Sequence, residues 1–196
     1  YNIEKNNIRK ERIIMAAKPK IGLVGMGHFI YWPQFDGLKQ ELMQKTERFK
    51  KYFSDEVEIF DGGFADDYDT AVQALKRCKA QDPDALFIVM TTYITSQTVF
   101  PFAKYLGDVP QFLIALQPLD YSKTTTYMQL VNDDICSMPE FAGVYERLGA
   151  HMPYFLVCAE SQEQTIRRRV ELYEKAICAK SAFKYAKFGY LGHPYD

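Results

Sequence analysis

Six side chains stand on stretches that could hold a polar ligand. They are His28, Phe29, Tyr31 and Trp32 in residues 25–32 (GMGHFIYW), Thr92 in residues 90–97 (MTTYITSQ), and Gln117 at the start of Gln-Pro-Leu. Histidine and tyrosine exchange hydrogen bonds with a polyol, and an aromatic face packs on the apolar side of a sugar ring. The first stretch also carries the chain's one tryptophan and one of its three histidines. The glycines in and just before it, Gly22, Gly25 and Gly27, miss the Gly-x-Gly-x-x-Gly spacing of a dinucleotide site, which disfavours a nicotinamide cofactor. A plainer reading stays open, with the glycines making a tight strand-to-helix turn and the aromatics covering a sheet edge. The hydroxyls of residues 91–96 could present a helix N-terminus to a phosphate or another polar ligand, or simply cap that helix. Gln117 could bond whatever sits above the sheet or be an ordinary loop amide.

Other chemistry is thinly signalled. Asp66, Asp67, Asp133, Asp134 and Glu160 are acidic, but none stands at metal-ligand spacing from a histidine, and His28, His151 and His193 lie far apart. We therefore expect no metal and no cofactor held by this chain alone. There is no Gly-x-Ser-x-Gly, no Walker sequence and no cysteine with an evident partner base. Cys78, Cys136, Cys158 and Cys178 are widely spaced without a Cys-x-x-Cys pair, which favours reduced thiols. Arg167, Arg168 and Arg169 read as a solvated helix face.

The elements that must position these residues alternate between strand and helix. Residues 20–25, 57–60, 85–90, 109–116 and 154–159 read as strands, the second closed by Asp61-Gly62-Gly63. Between them, Pro33 suits the first turn of a helix whose inner stripe is Leu38, Leu42, Phe49 and Phe53. Residues 67–80 form a second helix with Ala71, Leu75 and Cys78 inward. Ser96 caps a third that Gly107 ends. Phe141, Val144 and Leu148 mark a short helix, residues 162–182 a long one, and residues 188–191 a sixth apolar run. The alternation predicts a three-layer, doubly wound α/β fold, flavodoxin-like or Rossmann-like, with five parallel strands in order 2-1-3-4-5. Ligands of such sheets collect at the carboxyl ends of the strands, so the loops after strands one, three and four are the ones to watch.

Length and charge narrow the classes further. A chain of 196 residues is economical as one domain with a terminal extra piece, and a net charge of -1 gives no global pull toward nucleic acid or an anionic membrane. No apolar run reaches the length of a membrane span and no secretory core opens the chain, so we expect a cytoplasmic protein. Residues 1–17 are expected to be a flexible extension.

Four stretches resemble the N-terminal part of the L-arabinose/L-fucose isomerase family. They are KPKIGLVGMGHFIYWPQFDGLKQEL from Lys18, DALFIVMTTYITSQTVFPFAKYLGDVPQFLIALQ from Asp84, NDDICSMPEFAGVYERLG from Asn132, and FGYLGHPYD from Phe188. The resemblance implies an α/β domain over residues 18–184 and the start of a second domain at 185–196. It implies an aldose–ketose isomerase in which manganese, held by two acidic residues and two histidines beyond the matched segment, polarises the sugar oxygens. It also implies a homo-oligomer in which the loop after strand one, here with His28, Phe29, Tyr31 and Trp32, reaches substrate at a neighbouring subunit. Gln117 corresponds to the matching strand-four end. The catalytic groups themselves would lie outside this chain, which alone would be inactive. The alternative is a stand-alone module that binds a sugar or sugar phosphate without turning it over. A flavodoxin-like cofactor protein fits less well, because no phosphate-cradling loop follows strand one.

Overall fold

Runs such as Ala-Leu-Phe-Ile-Val-Met lack polar alternation, so as strands they must be covered on both faces, which is the environment of a parallel sheet packed between helices. The computed structural model describes residues 18–118, 125–131, 133–189 and 192. Its strands are β1 (Lys20–Met26), β2 (Glu58–Ala65), β3 (Ala85–Met90), β4 (Gln111–Gln117) and β5 (Tyr154–Ala159). They form one five-stranded sheet in order β2-β1-β3-β4-β5, every pair parallel. The helices are α1 (Leu38–Phe49), α2 (Tyr68–Ala80), α3 (Ser96–Tyr105), α4 (Thr126–Val131), α5 (Ser137–Leu148) and α6 (Glu163–Tyr185). The chain is thus the expected three-layer α/β fold of flavodoxin-like or Rossmann-like type.

Strand pleat sorts the core into two halves. Val24, Met26, Leu86, Ile88, Met90, Leu113 and Ala115 meet α2, α3 and α5 on one face. Ile21, Leu23, Phe87, Val89, Phe112, Ile114 and Leu156 meet α1 and α6 on the other. A smaller cluster of Leu38, Leu42 and Leu130, flanked by Tyr31, Trp32 and Phe35, joins α1 to α4.

Several boundaries differ from the sequence reading, each for a local reason. Helix α1 begins at Leu38 rather than near Pro33, because Phe29–Tyr31 first makes a 3-10 turn and Gly37 enters the helix with φ 79°. Phe53 lies beyond α1 yet still packs beneath the sheet. Strand β2 does not stop at Asp61-Gly62-Gly63. It runs on to Ala65 through a bulge, where Leu23 pairs with Asp61 but Val24 with Gly63, and Gly63 takes a φ of 97° that suits glycine. Ser96 is the first residue of α3 rather than its cap, and Leu148 is exposed. The sequence reading placed no element between β4 and α5, where α4 and the 3-10 turn Asp133–Cys136 stand. Phe188 and Gly189 are not in a strand, while Tyr190, Leu191 and His193, like the extension at 1–17, lie outside the described residues.

Candidate functional site

The carboxyl ends of β1 and β3, the two strands flanking the reversal in strand order, bring the first two stretches together. After β1, Gly27 N–H bonds the Ala65 carbonyl and Phe29 N–H the Asp66 carbonyl, which ties the loop across to the end of β2. Trp32 Nε1 donates to Asp66 Oδ2 at 2.7 Å, and Lys39 Nζ on α1 reaches the same oxygen at 2.8 Å. Asp66 Oδ1 accepts from Thr70 of α2 at 3.1 Å. Asp66 is thereby a buried, neutralised post that holds the aromatic loop in place.

The loop packs rings edge to face around His28: Phe29 at 5.4 Å, Tyr31 at 5.3 Å and Tyr93, from the loop after β3, at 6.3 Å between centroids. His28 is only 9% exposed, and its Nδ1 has no hydrogen-bond partner among the described residues. Burial pushes its pKa below the usual imidazole value, against an upward pull from the Asp66 main chain and carboxylate, so the ring stays neutral at pH 7. Tyr31 and Tyr93 are both raised, first by burial. The charge of Asp133 adds to the shift at Tyr31, and Glu140 adds to it at Tyr93. Both phenols therefore remain O–H donors.

Two carboxylates complete this edge. Tyr93 Oη and Ser96 Oγ each donate to Glu140 of α5 at 3.3 Å, and the Cys136 thiol sits 2.7 Å from Asp133 Oδ1. That hydrogen bond, with burial and the neighbouring acids, holds the thiol at a pKa of about 11, so Cys136 is no nucleophile at neutral pH. Neither Asp133 nor Glu140 forms an ion pair with a basic side chain among the described residues. Ile94 N–H, meanwhile, donates to Ser137 Oγ at 2.7 Å, locking the β3 loop to the start of α5.

Beneath Asp133, its neighbour Asp134 is fully buried and bonded to Lys45 Nζ at 3.0 Å and Gln117 Nε2 at 3.2 Å. Gln117 thus serves the turn carrying Asp133, one residue removed from the ring cluster. Thr92 reaches the same sheet edge but is fully buried, its Oγ1 without a hydrogen-bond partner among the described residues, so Tyr93 is the residue that this loop presents. Phe29 is half exposed at the rim, and Trp32 is partly covered.

The sequence reading named His28, Phe29, Tyr31 and Trp32 together and had Tyr93 and Ser96 within its second stretch, but it did not select Cys136, Glu140, Lys39 or Lys45. Asp133 had only its acidity to mark it. Nothing in linear spacing links Asp133 and Glu140 to a loop some hundred residues earlier. What the edge offers is a set of neutral donors and acceptors, ring faces and two carboxylates, suited to a hydroxylated ligand rather than to an anion. No three His, Cys, Asp or Glu side chains converge at metal-binding distance among the described residues. No helix of the described residues is long and apolar enough to cross a membrane. Comparison with known protein families and with curated proteins finds no match to the chain.

Proposed function

We propose that this chain is the substrate-binding N-terminal domain of an aldose–ketose isomerase of the L-arabinose/L-fucose type, and that an unphosphorylated sugar rests on the edge formed by His28, Tyr31 and Tyr93. The observation that carries this reading is the ring cluster around the buried His28, flanked by the carboxylates Asp133 and Glu140. Tyrosine hydroxyls and carboxylates supply the paired donors and acceptors that sugar hydroxyls need, and Phe29 supplies an apolar face at the rim. Support also comes from the four sequence stretches resembling that family. In this reading, manganese and the proton-transferring groups belong to another part of the enzyme, and this domain binds and orients the sugar for a neighbouring subunit in the cytoplasm.

The same edge would serve a stand-alone sugar-binding module, but a phosphorylated ligand is disfavoured because Asp133 and Glu140 would face its charge with no basic partner among the described residues. The test is titration of the purified chain with L-arabinose, L-fucose and a sugar phosphate, followed by amide NMR shifts. Saturable shifts at residues 28–32 and 93, lost in Tyr93→Phe and in His28→Ala, are expected for a neutral sugar. Shifts elsewhere, or binding unchanged in both variants, would move the site away from this edge. Ketose formation by the chain alone with added manganese would show that the catalytic groups had been wrongly assigned outside it.

A further inference from the structure

Among the described residues the edge strand β5 pairs only with β4, and its sequence Tyr-Phe-Leu-Val-Cys-Ala contains no charge and no proline. Natural edge strands are usually blunted by a lysine, a proline, a bulge or a covering element. Here Tyr154 is 57% exposed, Phe155 37%, Val157 44% and the preceding Met152 47%. On the α6 side, Tyr154 adjoins an apolar groove of about 350 Å³ that also involves Leu172, Tyr173 and Ala176.

Main-chain direction settles which residues are available. Glu160 N–H bonds the Gln117 carbonyl of β4, so even-numbered residues of β5 turn inward. Odd-numbered ones turn outward: Ala159 N–H is taken by Gln162 Oε1 at 3.1 Å, and the Phe155 carbonyl is approached by the Tyr173 hydroxyl at 3.4 Å, which leaves it a second lone pair. Phe155 and Val157 are therefore the residues whose main chain can extend the sheet.

We propose that β5 pairs antiparallel with β5 of a second copy of this chain about a two-fold axis at Leu156, joining the two sheets into one. The axis sets Phe155 against the second copy's Val157 as a pair exchanging both N–H and C=O groups, and this happens twice by symmetry. Leu156 meets its own equivalent, and Tyr154 meets Cys158. Every cross-strand pair within the strand is apolar or a thiol on an aromatic ring. The flanks are complementary as well. Arg169, close enough to Cys158 to act on its thiol electrostatically, comes to the second copy's Tyr154 ring. A second copy therefore fits this edge better than an unrelated strand, which would have to supply the same apolar alternation and a ring for Arg169.

The pairing is tested by sedimentation of the whole chain and by cysteine trapping. Tyr154 and Cys158 would be opposed at a non-hydrogen-bonded position, where Cα atoms lie about 4.5 Å apart, within the range a disulfide spans. Tyr154→Cys is accordingly expected to form a covalent dimer with the native Cys158 under mild oxidation. The unmodified chain is expected to sediment at twice its 22.7 kDa mass. Val157→Lys, at a solvent-facing position, is expected to return it to monomer with an unchanged circular dichroism spectrum. A chain that stays monomeric into the high micromolar range, or a dimer that survives Val157→Lys, would overturn the proposal. So would a folded Tyr154→Cys variant that does not cross-link.

Discussion

Lys45 and Asp134 illustrate how single residues hold the candidate edge together. Both are buried, and the pair ties α1 to the turn that carries Asp133 and Cys136. Burial pushes the Asp134 carboxyl up while Lys45 and Gln117 pull it down. Removing one partner strands the other, so Lys45→Met is expected to cost about 3–5 kcal/mol in a urea melt, whereas Lys45→Met with Asp134→Leu recovers most of it. A single variant as stable as the parent chain would show that the pair does not hold the turn. His28 makes a pH-dependent contribution of defined sign. Its folded pKa lies below 6.5, so the unfolded chain binds the extra proton first, and stability falls as pH drops below about 6.5. Asp67, whose carboxyl is held low by Thr70, titrates well below that window. The loss of stability between pH 6.5 and 5 is therefore expected to shrink in His28→Gln, read from denaturant midpoints at both pH values. Equal losses in the two proteins would place the titrating group elsewhere.

At the scale of elements, the start of α2 is the clearest case of sequence writing its own local structure. Asp67 accepts from Thr70 N–H at 2.8 Å while the Thr70 hydroxyl accepts from Asp67 N–H at 3.0 Å, a reciprocal capping box. Asp67→Ala is expected to cost about 1 kcal/mol and to lower the thermal midpoint by several degrees. Because Asp66 accepts from the same Thr70, the variant is also expected to broaden the amide signals of the Trp32 loop. Unchanged signals there would separate the cap from the site. Other boundaries were less legible. Pro33 is compatible with a helix start, but packing of Tyr31, Trp32 and Phe35 against Leu38 and Leu42 keeps that stretch in turns. Pairing with β1 carried β2 through two glycines that read as a stop.

At the scale of the whole molecule, Phe87 joins the layers on one side of the sheet. It stacks on Phe112 of β4 at 4.5 Å and meets Phe49 of α1, Phe53 and Tyr173 of α6. Truncation opens a cavity shared by both helices, so Phe87→Ala is expected to cost about 3–5 kcal/mol. Hydrogen exchange is expected to quicken in α1 and α6 together while α2 and α3 change little. Faster exchange confined to one helix would show that the aromatic cluster does not couple them.

The sequence alone determined that the chain is a doubly wound α/β protein with strand order 2-1-3-4-5, because apolar runs alternating with amphipathic stretches leave few ways to bury both. It also marked residues 28–32 as the chemically unusual loop, since rare residue types gathered there. Only the tertiary structure decided that Tyr93, Asp133 and Glu140 stand with that loop and that Asp66 is spent in anchoring it. It also placed Thr92 below the surface. Those juxtapositions arise from crossover connections closing over long stretches of chain, and a contact between residues so far apart leaves no local spacing to read.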